Sequence, residues 1–151
     1  MSYVLGSKSQ AKLDTCHPVL QEIVRSAIMV TPMDFTVLFG YRGEELQNDL
    51  YDEGRSKLRY PQSKHNRTDA DGEQESWAID LAPWFAASPH VRWSRPDEFR
   101  WLAGFIMGVG DRIARREGYT LRWGGDWDRD GDQGVQDNAF MDLPHIELIE
   151  L

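Results

Sequence analysis

Two histidines and two aspartates carry the chemistry that this chain could perform. They are His65, Asp80, Asp142 and His145. Two imidazoles and one carboxylate are typical ligands of a catalytic zinc ion that keeps one coordination position open. Asp142 lies three residues before His145 and supplies a second carboxylate. A metal, a water molecule and a nearby base predict a hydrolase, with Asp142 as the general base.

The surroundings of these residues differ. Asp80 lies in the short apolar segment 77–81, and a carboxylate on a buried strand needs a partner or a metal ion. His145 begins a segment of alternating apolar and polar residues and has the same character. His65 lies in the polar segment 55–76, which we predict to be a long loop.

The elements around these residues predict a small α+β domain with a mainly antiparallel sheet, formed by residues 1–151 as a single unit. Apolar periodicity and proline positions predict three helices: from Pro18 to Pro32, from Glu44 to Tyr51, and a long one from Pro96. The predicted strands are Asp34–Phe39, Trp77–Leu81, Tyr119–Trp123 and His145–Ile149. Because Gly104 and Gly108 weaken the long helix, we expect a close approach to the sheet there.

Charge and composition exclude several classes of partner. The net charge of −8 argues against nucleic acid and against anionic membranes. No apolar run approaches the ~20 residues of a membrane span, and the N-terminal residues lack the apolar core of a signal peptide. We therefore expect a protein that is made and held in the cytoplasm. We also predict that it is a monomer. The single Cys16 excludes an internal disulfide.

Three motifs follow one another along the chain: Ser63-Lys64-His65, Ala78-Ile79-Asp80 and Asp142-x-x-His145-Ile146-Glu147-Leu148. In this order they resemble the zinc peptidases of the VanY and D-Ala-D-Ala carboxypeptidase type. The resemblance is closest to bacteriophage endolysins that are L-alanyl-D-glutamate endopeptidases, and it extends over most of the chain. One departure is the insert of residues 66–79, where many members have a short glycine-containing turn. It leaves open whether His65 or an acidic residue of the insert is the ligand.

The resemblance implies a hedgehog or D-Ala-D-Ala peptidase-like fold and zinc held by His65, Asp80 and His145. It further implies that Asp142 takes a proton from water and passes it to the leaving amine. Arg42 and Ser63 would bind the substrate, bacterial peptidoglycan. A fixed guanidinium suits the carboxylates of a stem peptide, although Arg42 could also be a surface turn residue. The implied biology is an endolysin held in the host cytoplasm until lysis, when it reaches the periplasm and cell wall.

Three further side chains or segments allow two interpretations each. Glu147 could orient a ligand histidine or point to solvent, and Trp127 could be a cleft wall or core filler. The segment from Asp126 approximates the spacing of a calcium-binding loop, although a solvated acidic turn explains it as well. Its carboxylates are Asp126, Asp128, Asp130, Asp132 and Asp137.

Three alternative functions remain open from the residues alone. A D-Ala-D-Ala carboxypeptidase or dipeptidase would use the same site. A non-haem iron oxygenase would use two histidines and a carboxylate, but with closer ligand spacing. A non-catalytic, zinc-stabilised cell-wall-binding module would have no need of Asp142.

Overall fold

A computed structural model of the chain describes residues 2–132 and 140–151. The helices are α1 (Ser7–Leu13), α2 (Pro18–Val30), α3 (Glu44–Asp52) and α4 (Pro96–Arg116). The strands are β1 (Phe35–Phe39), β2 (Ala78–Pro83), β3 (Tyr119–Gly124) and β4 (Asp142–Glu150). They form one antiparallel sheet in the order β1-β2-β4-β3. The predicted α+β class with an antiparallel sheet is confirmed.

Both long helices begin at a proline, where the missing N–H costs no hydrogen bond. Ahead of α2, Nδ1 of His17 accepts a hydrogen bond of 3.1 Å from the backbone N–H of Val19 and caps the helix. Helix α4 carries acidic residues in its first turn and arginines in its last, which suits the helix dipole. The α2 and α4 helices pack against each other, and α4 also contacts β2, β3 and β4.

A glycine sets how closely α4 approaches its neighbours. A Cβ atom on Gly110 would lie 2.8 Å from side-chain carbons of Ile23 in α2 and Leu121 in β3. The same atom on Gly104 or Gly108 would meet nothing within 4 Å. The expectation of a close approach at those two positions was therefore wrong, and the approach lies at Gly110.

The sheet has an apolar face and a polar face. Ile79 and Ile146 are paired across β2 and β4 and are buried in the core. Because side chains alternate along a strand, their neighbours Asp80 and His145 form the next pair on the opposite face. Glu147 follows two residues after His145 on that polar face.

Two elements, α1 and β4, differ most from the prediction. Helix α1 was not predicted, because its polar sequence buries only Ser9 and Leu13 and shows no apolar periodicity. Strand β4 begins at Asp142, three residues before the predicted start, so this carboxylate belongs to the strand. Residues 55–76 form the predicted loop, interrupted by one 3₁₀ turn at Lys64–Asn66. Within residues 2–132 and 140–151, every helix is too short or too polar to cross a membrane.

Candidate active site

The polar face of the sheet brings His65, Asp80 and His145 together. Nε2 of His65 lies 3.3 Å from Oδ1 of Asp80 and 3.2 Å from Nδ1 of His145. The third side of this triangle, from Nδ1 of His145 to Oδ1 of Asp80, measures 3.2 Å. Two ligand atoms of a tetrahedral zinc ion lie roughly 3.3 Å apart when each zinc–ligand bond is about 2.0 Å. The three atoms therefore have the spacing that one face of a zinc tetrahedron requires.

The outer nitrogens of both histidines are fixed by hydrogen bonds. Nδ1–H of His65 donates to the carbonyl of Gly40 at 2.8 Å, and Nε2–H of His145 donates to Oε1 of Glu147 at 2.8 Å. A ring that donates from its outer nitrogen presents the lone pair of its inner nitrogen to a metal. Glu147 is buried, so of its two interpretations the structure favours the one in which it orients His145.

Asp80 is held by Arg42. Nη2 of Arg42 donates to Oδ2 of Asp80 at 2.6 Å, while Oδ1 faces the histidines. The guanidinium also stacks on the ring of Phe39, 4.6 Å from its centroid, and is buried. Arg42 is thus a buried partner of Asp80 and not a surface turn residue. The structure leaves its contact with substrate as a prediction.

The electrostatics of this cluster place a proton on His145 when no metal is bound. Burial opposes a charged ring, but hydrogen bonds to Asp80 and Glu147 outweigh it and raise the pKa of His145 to about 10. Burial lowers the pKa of His65, which is neutral near pH 7. Burial would raise the pKa of Asp80, yet the two histidines hold it well below its usual value. A cation entering the triangle must displace the proton of His145.

Asp142 lies at the edge of the triangle, at the start of β4. Its Oδ2 is 3.9 Å from Nδ1 of His145, and about a quarter of its side chain (26%) is exposed. Burial, followed by the nearby charge of Asp80, raises the pKa of Asp142 to about 6. A carboxyl with a pKa near neutrality can both accept and donate a proton. Gly124 allows this placement, because a Cβ atom there would collide with the carbonyl of Asp142.

Ser63 supports the 3₁₀ turn that carries His65. Its Oγ accepts a hydrogen bond from the N–H of His65, and its own N–H donates to Oδ1 of Asn66. The side-chain amide of Asn66 in turn donates to the carbonyl of Arg42 at 2.9 Å. These contacts bury His65, only 1% of which is exposed. The structure thus gives Ser63 a positioning contact, and its predicted contact with substrate stays a prediction.

The insert of residues 66–79 folds into its own turn. Oδ1 of Asp69 accepts hydrogen bonds from the N–H groups of Asp71 and Glu73, so that carboxylate is used within the turn. The backbone N–H of Trp77 then donates to the carbonyl of Lys64, which returns the chain beside His65. Of the residues described, it is His65, and no acidic residue of the insert, that joins the cluster of possible metal ligands around Asp80.

The contacts that Lys64 and Arg122 make with Glu147 were not anticipated from the sequence. Lys64 lies 3.3 Å from Oε2 of Glu147, and its ammonium also donates to the carbonyl of Leu148. Arg122 donates to the same Oε2 at 2.9 Å. Burial opposes a charged Glu147, but the hydrogen bond from His145 and then the charges of His145, Lys64 and Arg122 lower its pKa to about 2. The only sequence signal was the position of Lys64 beside His65.

Two cavities meet at the triangle. The first, about 280 Å³, borders Asp80. Besides the charged side chains of Arg42, Arg55 and Asp142, it is lined by apolar ones, which include Leu38, Phe39, Leu50, Trp93, Phe99 and Leu143. The second, about 520 Å³, borders His65 and His145. Arg42, Arg55 and Asp142 line both cavities. The proposed ligands and the proposed base therefore lie at the junction of one cleft.

Trp127 forms a wall of the second cavity. Its ring centroid lies 5.4 Å from that of His145, and its Nε1–H donates to the carbonyl of Phe140 at 2.7 Å. Of the two interpretations from the sequence, this placement matches the cleft wall.

The acidic loop before β4 brings three of its five carboxylates together. Oxygens of Asp126, Asp128 and Asp130 lie within 4.8 Å of one another. The backbone N–H of Asp132 donates to Oδ1 of Asp130, and Asp137 lies outside the described residues. Exposed acidic groups commonly lie close together without a cation.

The chain is similar to known peptidases over its whole length. The sequence model of the family described as phage L-alanyl-D-glutamate peptidase matches residues 1–149. The L-alanyl-D-glutamate peptidase of Escherichia phage T5 is 30% identical over 151 residues, covering 99% of this chain and 100% of the phage protein. The crystal structure of the L-Ala D-Glu endopeptidase ChiX from Serratia marcescens aligns with a TM-score of 0.65 at 24% identity, covering 97% of this chain and 90% of that one. The structure of the vancomycin resistance D,D-dipeptidase VanXYg aligns over 87% of this chain and 48% of its own, at 20% identity and a TM-score of 0.47.

Proposed function

This chain belongs to the family of phage L-alanyl-D-glutamate peptidases, and on that premise we propose that it is a zinc-dependent peptidoglycan endopeptidase. The bond cleaved is the amide between L-Ala and D-Glu of the stem peptide. The observation that carries the zinc proposal is the triangle of His65, Asp80 and His145, whose sides of 3.2 to 3.3 Å suit tetrahedral coordination.

In the proposed mechanism, His65, Asp80 and His145 would hold the ion, with Nε2, Oδ1 and Nδ1 as the ligand atoms that face one another. When bound there, zinc supplies polarisation of the scissile carbonyl and acidifies the attacking water. Asp142 accepts the proton of that water and then donates it to the leaving amine, two steps for which a pKa of about 6 is suited.

Arg42 and Glu147 act as positioning residues in this scheme. Arg42 fixes Oδ2 of Asp80, so that Oδ1 stays directed to the histidines. Glu147 fixes the outer nitrogen of His145 and stabilises positive charge on that ring. Both side chains are buried, which keeps these contacts out of competition with water.

We further propose that the protein is an endolysin. It would be held in the host cytoplasm and reach the peptidoglycan when the membrane is breached at lysis. Support comes from the similarity to a peptidase of Escherichia phage T5 over the whole length of both chains. Lysis of host cells by expression of the chain together with a membrane-permeabilising protein, but not by the chain alone, would be the expected result.

Calcium is a second proposed cofactor. The carboxylates of Asp126, Asp128 and Asp130 converge in the loop that leads towards β4 and therefore towards Asp142. An ion bound there would order the approach to the site. Isothermal titration should detect calcium binding, and a calcium-selective chelator should reduce activity. Absence of binding together with unchanged activity in the chelator would remove this proposal.

The experiment that tests the main proposal is digestion of defined muropeptides with zinc-loaded protein, followed by mass spectrometry. A new D-Glu N-terminus is expected, and it should disappear when zinc is removed and return when zinc is restored. Release of free D-Ala without that N-terminus would select a D-Ala-D-Ala carboxypeptidase instead. Purified protein that contains iron and no zinc would point to the oxygenase alternative.

Asp142→Asn distinguishes the enzyme from a non-catalytic zinc module. A peptidase should lose hydrolysis in this variant while keeping zinc and fold. If zinc-loaded protein of either sequence binds peptidoglycan and cleaves no muropeptide, the binding module is the better description.

A further inference from the structure

A strongly basic segment stands out in an acidic protein. Residues 55–67 contain five lysines and arginines and no aspartate or glutamate, whereas the whole chain has a net charge of −8. The five are Arg55, Lys57, Arg59, Lys64 and Arg67. The overall negative charge is sufficient to keep the protein soluble. The local excess of positive charge therefore requires another explanation.

The segment lines the larger of the two cavities at the triangle. Four of its five basic residues border that cavity, and Arg42 and Arg122 add two more cations. The exception is Arg59, which pairs with Asp52 at 2.7 Å and stacks on Tyr51 outside the cavity. Most of the positive charge of the segment therefore lies at the cavity. Arg59, which lies outside it, can serve as a control position in the same segment.

Two of these cations have no ion-pair partner among the residues that the structure describes. Lys57 lies over the ring of Phe140 at 5.3 Å, and Arg67 over the ring of Trp77 at 4.7 Å. Throughout residues 2–132 and 140–151, no carboxylate lies within 4.0 Å of either group. An aromatic ring positions a cation through its face and leaves N–H donors available for a ligand.

The other cations of the cavity are already paired. Lys64 and Arg122 both contact Glu147. Arg42 contacts Asp80, and Arg55 contacts Glu53. Of the carboxylates in the described part of the chain, Glu147 and Asp142 line the cavity. Glu147 already contacts Lys64, Arg122 and His145. It therefore does not neutralise Lys57 or Arg67.

The two cavities match the two halves of an L-alanyl-D-glutamyl substrate. The alanyl half carries a methyl group, which suits the apolar side chains of the cavity of about 280 Å³, such as Leu38, Leu50 and Phe99. The glutamyl half keeps a free carboxylate, because only one of glutamate's two carboxyl groups continues the chain. A carboxylate next to the scissile bond suits the cationic cavity.

Resting on the proposed function, we propose that the cationic cavity is the subsite for the glutamyl half of the substrate and that Lys57 and Arg67 recognise its free carboxylate. The enzyme then distinguishes a stem peptide with this carboxylate from one in which it is a carboxamide. Lys57 and Arg67 are specificity residues in this scheme and take no part in bond cleavage.

The test compares two synthetic peptides that differ only in carboxylate or carboxamide at the glutamyl residue. Each partly exposed charge pair contributes roughly up to fivefold, so two should give about a 10-fold preference in kcat/KM for the carboxylate. The double variant Lys57→Gln, Arg67→Gln should lose most of this preference through KM, with kcat little changed. Arg59→Gln, in the same segment but outside the cavity, should keep it.

The outcomes separate the subsite from the activity. Equal cleavage of both peptides by the unsubstituted enzyme, or a preference that survives in the double variant, overturns recognition of the carboxylate while the peptidase activity stands. Cleavage of neither peptide by folded, zinc-loaded protein contradicts the proposed function and the subsite together. A preference that weakens at 0.5 M salt, where charges are screened within a few ångströms, supports the proposal.

Discussion

Replacing Asp142 by asparagine should make the metal-free protein more stable while removing its activity. The folded protein holds the pKa of Asp142 at about 6, against 3.8 for a free side chain. This rise corresponds to about 3 kcal/mol of destabilisation at any pH above 6. Because 26% of the side chain is exposed, solvent screening should reduce the gain from Asp142→Asn to about 1–2 kcal/mol.

The sign of this effect depends on pH in a defined way. An acid whose folded pKa is raised destabilises the fold fully above the folded pKa and not at all below the unfolded pKa. The advantage of Asp142→Asn should therefore be complete at pH 7.5 and should vanish as the pH falls from 6 towards 3.8. The activity should fall by about 10²- to 10⁴-fold, the usual contribution of a general base.

The assay is urea unfolding of both proteins in a chelator at pH 7.5 and at pH 4, with muropeptide hydrolysis measured on zinc-loaded samples. Asparagine has nearly the same shape as aspartate, so packing is matched. The electrostatic reasoning would be refuted if the variant were less stable than the unsubstituted protein at pH 7.5. It would also be refuted if the free energy of unfolding changed by the same amount at both pH values. A variant with full activity would refute the role of Asp142 as base.

Three other outcomes can be measured independently. Zinc affinity should rise roughly tenfold per pH unit between pH 6 and 8, because binding displaces one proton from His145; a chelator competition showing no pH dependence would contradict this. Gly110→Ala should cost about 1–3 kcal/mol in thermal unfolding through overpacking, whereas Gly104→Ala on the same helix, facing open space, should stabilise by about 0.5–1 kcal/mol; equal effects would contradict the packing. Burial lowers the pKa of His17, whose neutral ring caps α2, so folding stability should be full above pH 6.5 and decrease as the pH falls below it. His17→Asn keeps a capping group without the titration and should flatten that decrease in denaturant unfolding; parallel curves would contradict the assignment.

Local signals were sufficient for much of the fold. Pro18 and Pro96 with apolar residues at helical spacing predicted the two long helices, because helix starts depend on a few neighbouring residues. The alternation around Asp80 likewise predicted a buried strand and a carboxylate on its polar face. The polar helix α1 was missed for the same reason, since it has no apolar periodicity to detect.

The contacts that complete the site were beyond sequence reasoning because they join distant segments. Arg42 and Asp80 are separated by 38 positions, and their pairing depends on how β1 meets β2. The close approach of α4 at Gly110 depends on where Ile23 lies, and no pattern within α4 contains that information. For the same reason, the sequence did not predict that basic residues of segment 55–67 line a cavity beside the candidate metal ligands.

The position of β4 in the sheet bears on when this protein can become active. It is the last strand in the chain, yet it lies between β2 and β3, and β3 has β4 as its hydrogen-bonded neighbour in the sheet. Asp142, His145 and Glu147 all arrive on this strand. A nascent chain that has emerged from the ribosome only as far as β3 therefore lacks the strand that joins β2 to β3. It also lacks three of the residues of the site. The sheet and the candidate active site are therefore completed in the same non-local folding step, when β4 pairs with β2 and β3. Partly synthesised chains should be unable to hydrolyse wall peptides.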